Sequence, residues 1–547
     1  MRWIRPDNVT AEYDGFMRGH GIQVWDMLRA AAEGRLPDVE RLLAADPGLA
    51  NCEFAYVSPL HFALREGHAR VVRRLLDAGA KPTGACGLYS GTDPVAVAAD
   101  RGLAEIAAMV EDALRERFGT TAAGRDICEA VRDGDRDRVV VLLERAPEQV
   151  ASADERGNTP LHWAVMTRRV GLIQLLLDRG ADVRAERADG MQPLHLSLHQ
   201  DYFHRRKIVA MADDAVLTGL LLARGAEYDT CTAAAVGDLE RVTALVQGRP
   251  ECAAEPNSAG FRPLSYAARR GHTAVVRFLL EHGADPNAPE HNAPRGHALY
   301  LAAVGGYLEM VRLLLAHGAD PEAEVESSGT PIFRALGGGN TEIINLLYAH
   351  GAAAGLVSHV WLGRLDVVGE LLRVDPGLVN TGGDYGPLCS AVGGASMEMI
   401  RLLLRHKPDL NRPYYCANHV VYACNVRDEP DRLDVLRLLL EHGADPNLRN
   451  WLGVSHLHLQ AVRGDLETAA ILLEHGADLQ ARDDEWSSTP LGWAARNGQR
   501  AMVEFLLSRG AEPMLPDDPE WATPLGWAEK KGHPDIAAVL RAAGTTR

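Results

Sequence analysis

Lysine is nearly missing from this chain: five residues in 547, with arginine supplying the rest of the 57 basic side chains. Acidic residues number 74, so the formal net charge is −17. A surface of that sign disfavours free nucleic acid and anionic membrane as partners. No apolar run reaches membrane-spanning length, and the opening MRWIRPDNVT lacks the apolar stretch of a signal peptide. Membrane insertion is therefore not expected, and a cytoplasmic location is. The eight cysteines (Cys52, Cys86, Cys128, Cys231, Cys252, Cys389, Cys416, Cys424) form no CxxC and no disulfide framework. Reduced thiols are expected. There is no GxSxG elbow, no phosphate-binding loop of the GxxxxGK[ST] type, no HExxH and no GxGxxG on a strand–helix unit. No catalytic residue, cofactor or metal ligand is expected. No Ser/Gly-rich linker divides the chain.

What is present is a repeated interval. Twenty residues separate Pro59 from Gly79, Pro160 from Gly180, Pro263 from Gly283, Pro331 from Gly351, Pro490 from Gly510 and Pro524 from Gly544. Ala298 to Gly318, Pro387 to Lys407 and His456 to Gly476 keep the same interval in degenerate form. The segment TPLHWAVMTRRVGLIQLLLDRGAD explains it. Thr159 can cap a helix and Pro160 occupies its first turn, where the missing N–H costs nothing. Leu161, Ala164 and Val165 form a short apolar face. The chain turns near Arg169. Leu172, Ile173, Leu175, Leu176 and Leu177 then sit at helical spacing, and Gly180 ends the second helix. Neither helix can bury its face alone, so the units must stack into an all-α solenoid.

Together with SPLHFALREGHARVVRRLLDAGA, RPLSYAARRGHTAVVRFLLEHGADPN and TPLGWAARNGQRAMVEFLLSRGAE, this segment resembles the ankyrin repeat. The resemblance covers the chain from about Val24 onward and implies helix-turn-helix units joined by projecting finger loops. Sixteen units are counted, beginning near Trp25, Val57, Thr92, Asp126, Thr159, Gln192, Thr232, Arg262, His297, Thr330, Leu356, Gly386, Asn418, Ser455, Thr489 and Thr523. Residues 1–21 fit no unit and are expected to cap the array or to bind a partner. Residues 22–547 are expected to form one continuous array, softened at Gly87–Gly124 and Ala353–Gly394. Four units replace the terminal Gly by a Pro-centred end, at Pro47, Pro147, Pro250 and Pro376.

The resemblance also accounts for twelve of the 21 histidines. His61, His162, His195 and His458 stand where the family's imidazole bonds loop backbone and ties adjacent units. His68, His272 and His533 follow the mid-repeat Gly. His282, His317, His350, His442 and His475 precede the terminal Gly, within reach of helix C-terminal carbonyls. His199, Asp201 and His204 fall in an insertion near 200–214, where Pro193 to Gly225 exceeds the interval by 12. A shorter insertion of 4 lies near 425–431. Long insertions in compact arrays are often functional, so an enzyme or metal protein using residues 199–214 is the alternative to a binding array.

Aromatic residues make up only 6% of the chain, yet many precede the first helix of a unit. Phe54, Tyr56, Tyr89, Phe261, Tyr385, Tyr414, Tyr415, Trp451, Trp486 and Trp521 fall in the expected fingers, and Tyr202 and Phe203 in the insertion. Such rings make good interface anchors. Asp483, Asp484, Glu485, Asp517, Asp518 and Glu520 suggest an acidic rim, and Arg269, Arg270, Arg463, Arg496, Lys530 and Lys531 a basic floor. The expected function is a monomeric, non-catalytic scaffold holding a protein or peptide in the concave groove that the family's fold implies. A secreted effector acting on a host protein is a further alternative.

Overall fold

The computed structural model describes residues 21–54, 57–82, 94–118, 121–154, 157–187, 189–198, 214–290, 293–325, 329–352, 355–381, 386–394, 396–412, 414, 418–425 and 431–544. Among them are sixteen pairs of α-helices, from Gly21–Ala32 with Leu36–Ala45 to Pro524–Lys530 with Pro534–Ala542. The pairs are numbered here as repeats 1 to 16. They belong to two compact bodies that divide near residue 353, with repeats 1 to 10 in the first and 11 to 16 in the second.

Repeat 5 shows why the interval is twenty. The Thr159 side chain accepts from the backbone N–H of His162, and Pro160 opens the helix Pro160–Met166. Arg168 turns the chain at φ +56°, and the helix Val170–Asp178 follows. Gly180 closes it at φ +89°. At the equivalent place Lys407 is forced to φ +53°, where a Cβ is unfavourable, so the position is fixed by the stack and not by its residue. The Pro-centred repeats end otherwise. Their second helices, Leu36–Ala45, Arg136–Arg145, Leu239–Gly248 and Leu365–Val374, run ten residues where Val170–Asp178 runs nine. Asp46, Ala146, Arg249 and Asp375 then turn extended, and a 3-10 turn begins at each proline.

Three sets of hydrogen bonds hold neighbouring repeats in register. The first joins a first helix to the next finger. His162 Nδ1 accepts the Thr159 N–H at 3.1 Å, which places the ring proton on Nε2, 3.1 Å from the Met191 carbonyl. His458 repeats this between the Ser455 N–H (3.2 Å) and the Ser488 carbonyl (3.1 Å). Thiols replace the imidazole at Cys128, donating to the Asn158 carbonyl (3.4 Å), and at Cys231, donating to that of Phe261 (3.5 Å). The second set runs backward from the turn: His68 to the Ala32 carbonyl, Arg169 to Asp133, His272 to Ala235 and Gln499 to Val462, at 2.9–3.1 Å. The His272 ring lies so close to Gly237 that a Cβ there would come within 2.7 Å of it.

The third set joins fingers through side-chain amides. Asn447 donates to the Gly476 carbonyl (2.8 Å) and accepts from the Asp478 N–H (2.7 Å). Asn287 does the same with Gly318 and Asp320, and Asn411 with Gly443 and Asp445. The five histidines before terminal glycines bond the carbonyl four residues back, for example His442 to Leu438 at 2.7 Å. All six described cysteines are buried.

These buried imidazoles make stability depend on pH. Burial pulls His162 and His419 down to about 4, and His456 and His458 down to about 3. An unfolded histidine takes up a proton near pH 6.5, so the unfolded state gains protons first on acidification. The contribution is full above pH ~6.5 and is lost as pH falls toward 4, at up to ~1.4 kcal/mol per pH unit for each group. Glu290 and Asp483 oppose this, because burial raises them to about 7 and about 6. Four groups outweigh two. Urea unfolding should therefore show a lower midpoint at pH 5.0 than at pH 7.5, and the His162→Gln/His458→Gln double variant a smaller difference. Equal midpoints for the native protein at the two pH values would contradict this.

Candidate protein-binding surface

Among the described residues, the finger aromatics form no ladder of exposed rings. Phe54, Phe261, Tyr414 and Trp486 are 3–8% exposed. Trp451 and Trp521 are half-buried. Tyr56, Tyr89, Tyr202, Phe203, Tyr385 and Tyr415 lie outside the described residues, as do His199, Asp201 and His204. Each buried ring packs within its own array. Phe54 meets Trp25 edge-on with centroids 5.5 Å apart, and Phe261 meets Tyr266 at 6.2 Å. Tyr414 stacks on His456 at 5.8 Å.

Trp486 shows the physical reason. The Asp483 carboxylate turns inward and accepts the Trp486 N–H (2.6 Å), the Ser488 N–H (3.0 Å) and the Trp493 indole N–H (3.0 Å). That folds the loop back and sets the Trp486 ring 4.3 Å from Trp493. The Arg496 guanidinium covers Trp486 at 3.9 Å and lies 4.9 Å from Trp527. Asp154 plays the same part in repeat 5, accepting the Trp163 indole N–H at 2.7 Å. The expected acidic rim is thus reduced. Asp483 and Glu485 are buried, and the Asp518 side chain is buried against Arg482 at 2.6 Å. Arg496 is likewise part of the packing and not an open floor.

Seven large apolar side chains are exposed among the described residues, Val374 and Met514 in the second body and the others in the first. Val236 (41%) and Val304 (51%) are the last residues of the first helices Thr230–Val236 and Ala298–Val304 in repeats 7 and 9, Val236 one residue before its turn glycine Gly237 and Val304 two before Gly306. Leu239 is exposed just after the turn of repeat 7. Between them, the first helix of repeat 8, Pro263–Arg270, ends on Arg269 and Arg270. The Arg270 guanidinium donates to the Leu198 carbonyl at 2.8 Å. Helix ends carrying a β-branched apolar residue beside a cation form a ledge suited to contact with another chain. Its signal in the sequence is a valine one or two residues before the turn glycine (Gly237, Gly306), where Arg269 and Arg270 precede Gly271.

No group of three or more His, Cys, Asp or Glu among the described residues could hold a metal ion. No described helix is long and apolar enough to cross a membrane.

Comparison with known proteins agrees with this geometry. The family Ankyrin repeats (3 copies) matches residues 127–211, 220–290, 288–357, 356–450, 431–517 and 457–546, and the single Ankyrin repeat matches 57–86. Human Ankyrin repeat domain-containing protein 39 is 50% identical over 60 residues, 11% of this chain and 32% of that protein. The E3 ubiquitin-protein ligase XB3 of Oryza sativa subsp. japonica is 31% identical over 188 residues, 30% of this chain and 41% of its own. Palmitoyltransferase AKR1 of Lachancea kluyveri is 32% identical over 133 residues, 24% of this chain and 18% of the enzyme. The chain thus spans less than half of each of these relatives. The human ASB11 ankyrin repeat domain, aligned over its whole length and 46% of this chain, is 25% identical with a TM-score of 0.28. On the matched residues and the repeated helix pairs, this chain belongs to the ankyrin repeat family.

Proposed function

We propose that this protein is a non-catalytic scaffold that binds a protein or peptide along its first-helix ends and finger loops. The observation that carries the reading is the exposure of Val236 and Val304 at first-helix ends in repeats 7 and 9, with Arg269 and Arg270 ending the first helix between them. Apolar side chains at a helix end gain by transfer to an interface, and nearby cations set orientation and on-rate. Trp451 and Trp521, which keep part of each ring exposed, belong to the same use of the array as finger contacts. The scattered cysteines, with no CxxC and no framework spacing, suit a reducing compartment, and we place the protein in the cytoplasm as a monomer.

The double variant Val236→Asp/Val304→Asp tests the ledge. Both side chains are exposed, so the thermal midpoint should stay within a few degrees of the native value. Partner proteins recovered with the native chain by quantitative affinity purification should fall about tenfold or more, the effect of losing two apolar anchors. Undiminished recovery would contradict the assignment. Trp486→Ala should behave differently. It removes a ring packed on Trp493 and Trp527 and should cost ~3–5 kcal/mol of stability, read as a lower unfolding midpoint. An unchanged midpoint would mean that the ring is not part of the core.

A further inference from the structure

Repeat 6 is followed by no finger of ordinary length. After the closing glycine of repeat 5, Gly180, twelve residues lead to Gln192, which begins repeat 6. After the closing glycine of repeat 6, Gly225, only four lead to Asp229, the cap of the helix Thr230–Val236. The fingers on either side therefore meet directly. Ser258 donates to the Gly190 carbonyl at 2.7 Å across 68 residues of chain. Beneath this contact, where the absent finger would lie, is a pocket of about 300 Å³. Glu186, His195, Glu227, Asp229, Arg249 and Glu255 are among its walls.

His195 is the second sign of a ligand. It is 5% exposed. Its Nδ1 accepts the Gln192 N–H at 3.1 Å, so its proton is on Nε2, as in His162 and His458. Those two imidazoles donate to a carbonyl of the following finger. His195 has no such finger to meet, and its Nε2 has no hydrogen-bond partner among the described residues. The nearest equivalent carbonyl, that of Tyr228, accepts instead from Arg241 at 3.3 Å. His195 lines the pocket, so this donor is open to a ligand's acceptor there. The charge around it is unbalanced as well. Arg249 is engaged by Glu255 at 2.6 Å, whereas Glu227 and Asp229 form no ion pair with a described residue.

We propose that this pocket receives one arginine residue from a loop of a partner protein. The partner's backbone carbonyl accepts from His195 Nε2, and its guanidinium is shared by Glu227 and Asp229. The volume suits a single long residue and not a whole finger. The paired demand for a carbonyl and a cation selects a peptide over a free amine, and a forked guanidinium matches two carboxylates better than a point charge. This assignment rests on the protein-binding reading above and gives it a specific contact.

Calorimetric titration of the full chain with Nα-acetyl-arginine amide tests it. One saturable site is expected. Nα-acetyl-citrulline amide, which lacks the charge, and agmatine, which lacks the carbonyl, should each bind about tenfold more weakly or worse. Glu227→Gln, an exposed substitution, should weaken the arginine probe by a similar factor without moving the unfolding midpoint. No saturable binding, equal binding of agmatine, or indifference to Glu227→Gln would overturn the proposal. The Val236→Asp/Val304→Asp variant leaves the pocket intact. If that variant loses its partner while the arginine probe fails to bind native protein, the pocket falls and the protein-binding reading stands. If the probe binds as expected and the variant keeps its partner, the ledge falls and the pocket stands.

Discussion

Within each body, much of the architecture depends on one hydrogen bond made again and again: a donor on a first helix reaches the carbonyl just before the next repeat begins. His162 reaches Met191, His458 reaches Ser488, Cys128 reaches Asn158 and Cys231 reaches Phe261. The donor's chemistry can change from imidazole to thiol because only one proton at one place is needed. With an imidazole, the second ring nitrogen also satisfies the helix cap, so one side chain closes two orphan groups. Helix packing alone would tolerate sliding between apolar faces. A bond of fixed length at each junction does not, and it sets the register in which the finger amides of Asn411 and Asn447 can then pair.

That constraint was legible in the sequence. Local spacing placed the five histidines before the closing glycines beside helix-end carbonyls, and the resemblance to the ankyrin repeat placed His162 and His458 against finger backbone. The Pro-centred ends were visible as departures, but their 3-10 turns needed the backbone. Phe54, Phe261, Tyr414 and Trp486 are buried where open anchors were expected. Whether Trp486 faces solvent depends on the Asp483 carboxylate three residues earlier and on indoles one repeat away. Nothing in the composition of an aromatic, acidic loop distinguishes a carboxylate turned outward from one turned inward to take three N–H groups.

The missing finger was also written in the sequence, in the distance that the twenty-residue count leaves out. Counting from the opening proline to the closing glycine measures the helix pair and ignores the connection that follows. The four residues from Gly225 to Asp229 are as plain as the twelve from Gly180 to Gln192. What they imply, a donor without its acceptor, follows only once the role of the His162 and His458 protons is known. The same repeat also carries the longer insertion between its helices, so repeat 6 departs from the pattern at both ends.

The account ties the two kinds of imidazole to a single contrast, which hydrogen exchange of the ring N–H groups measures directly. With ¹⁵N-labelled histidine, the Nε2 protons of His162 and His458 should be observable at pH 7.5 and protected from exchange with water, each held by a finger carbonyl. The Nε2 proton of His195 should exchange much faster, because its finger is absent. Equal protection at all three rings would mean that His195 already has its acceptor, and would contradict the account.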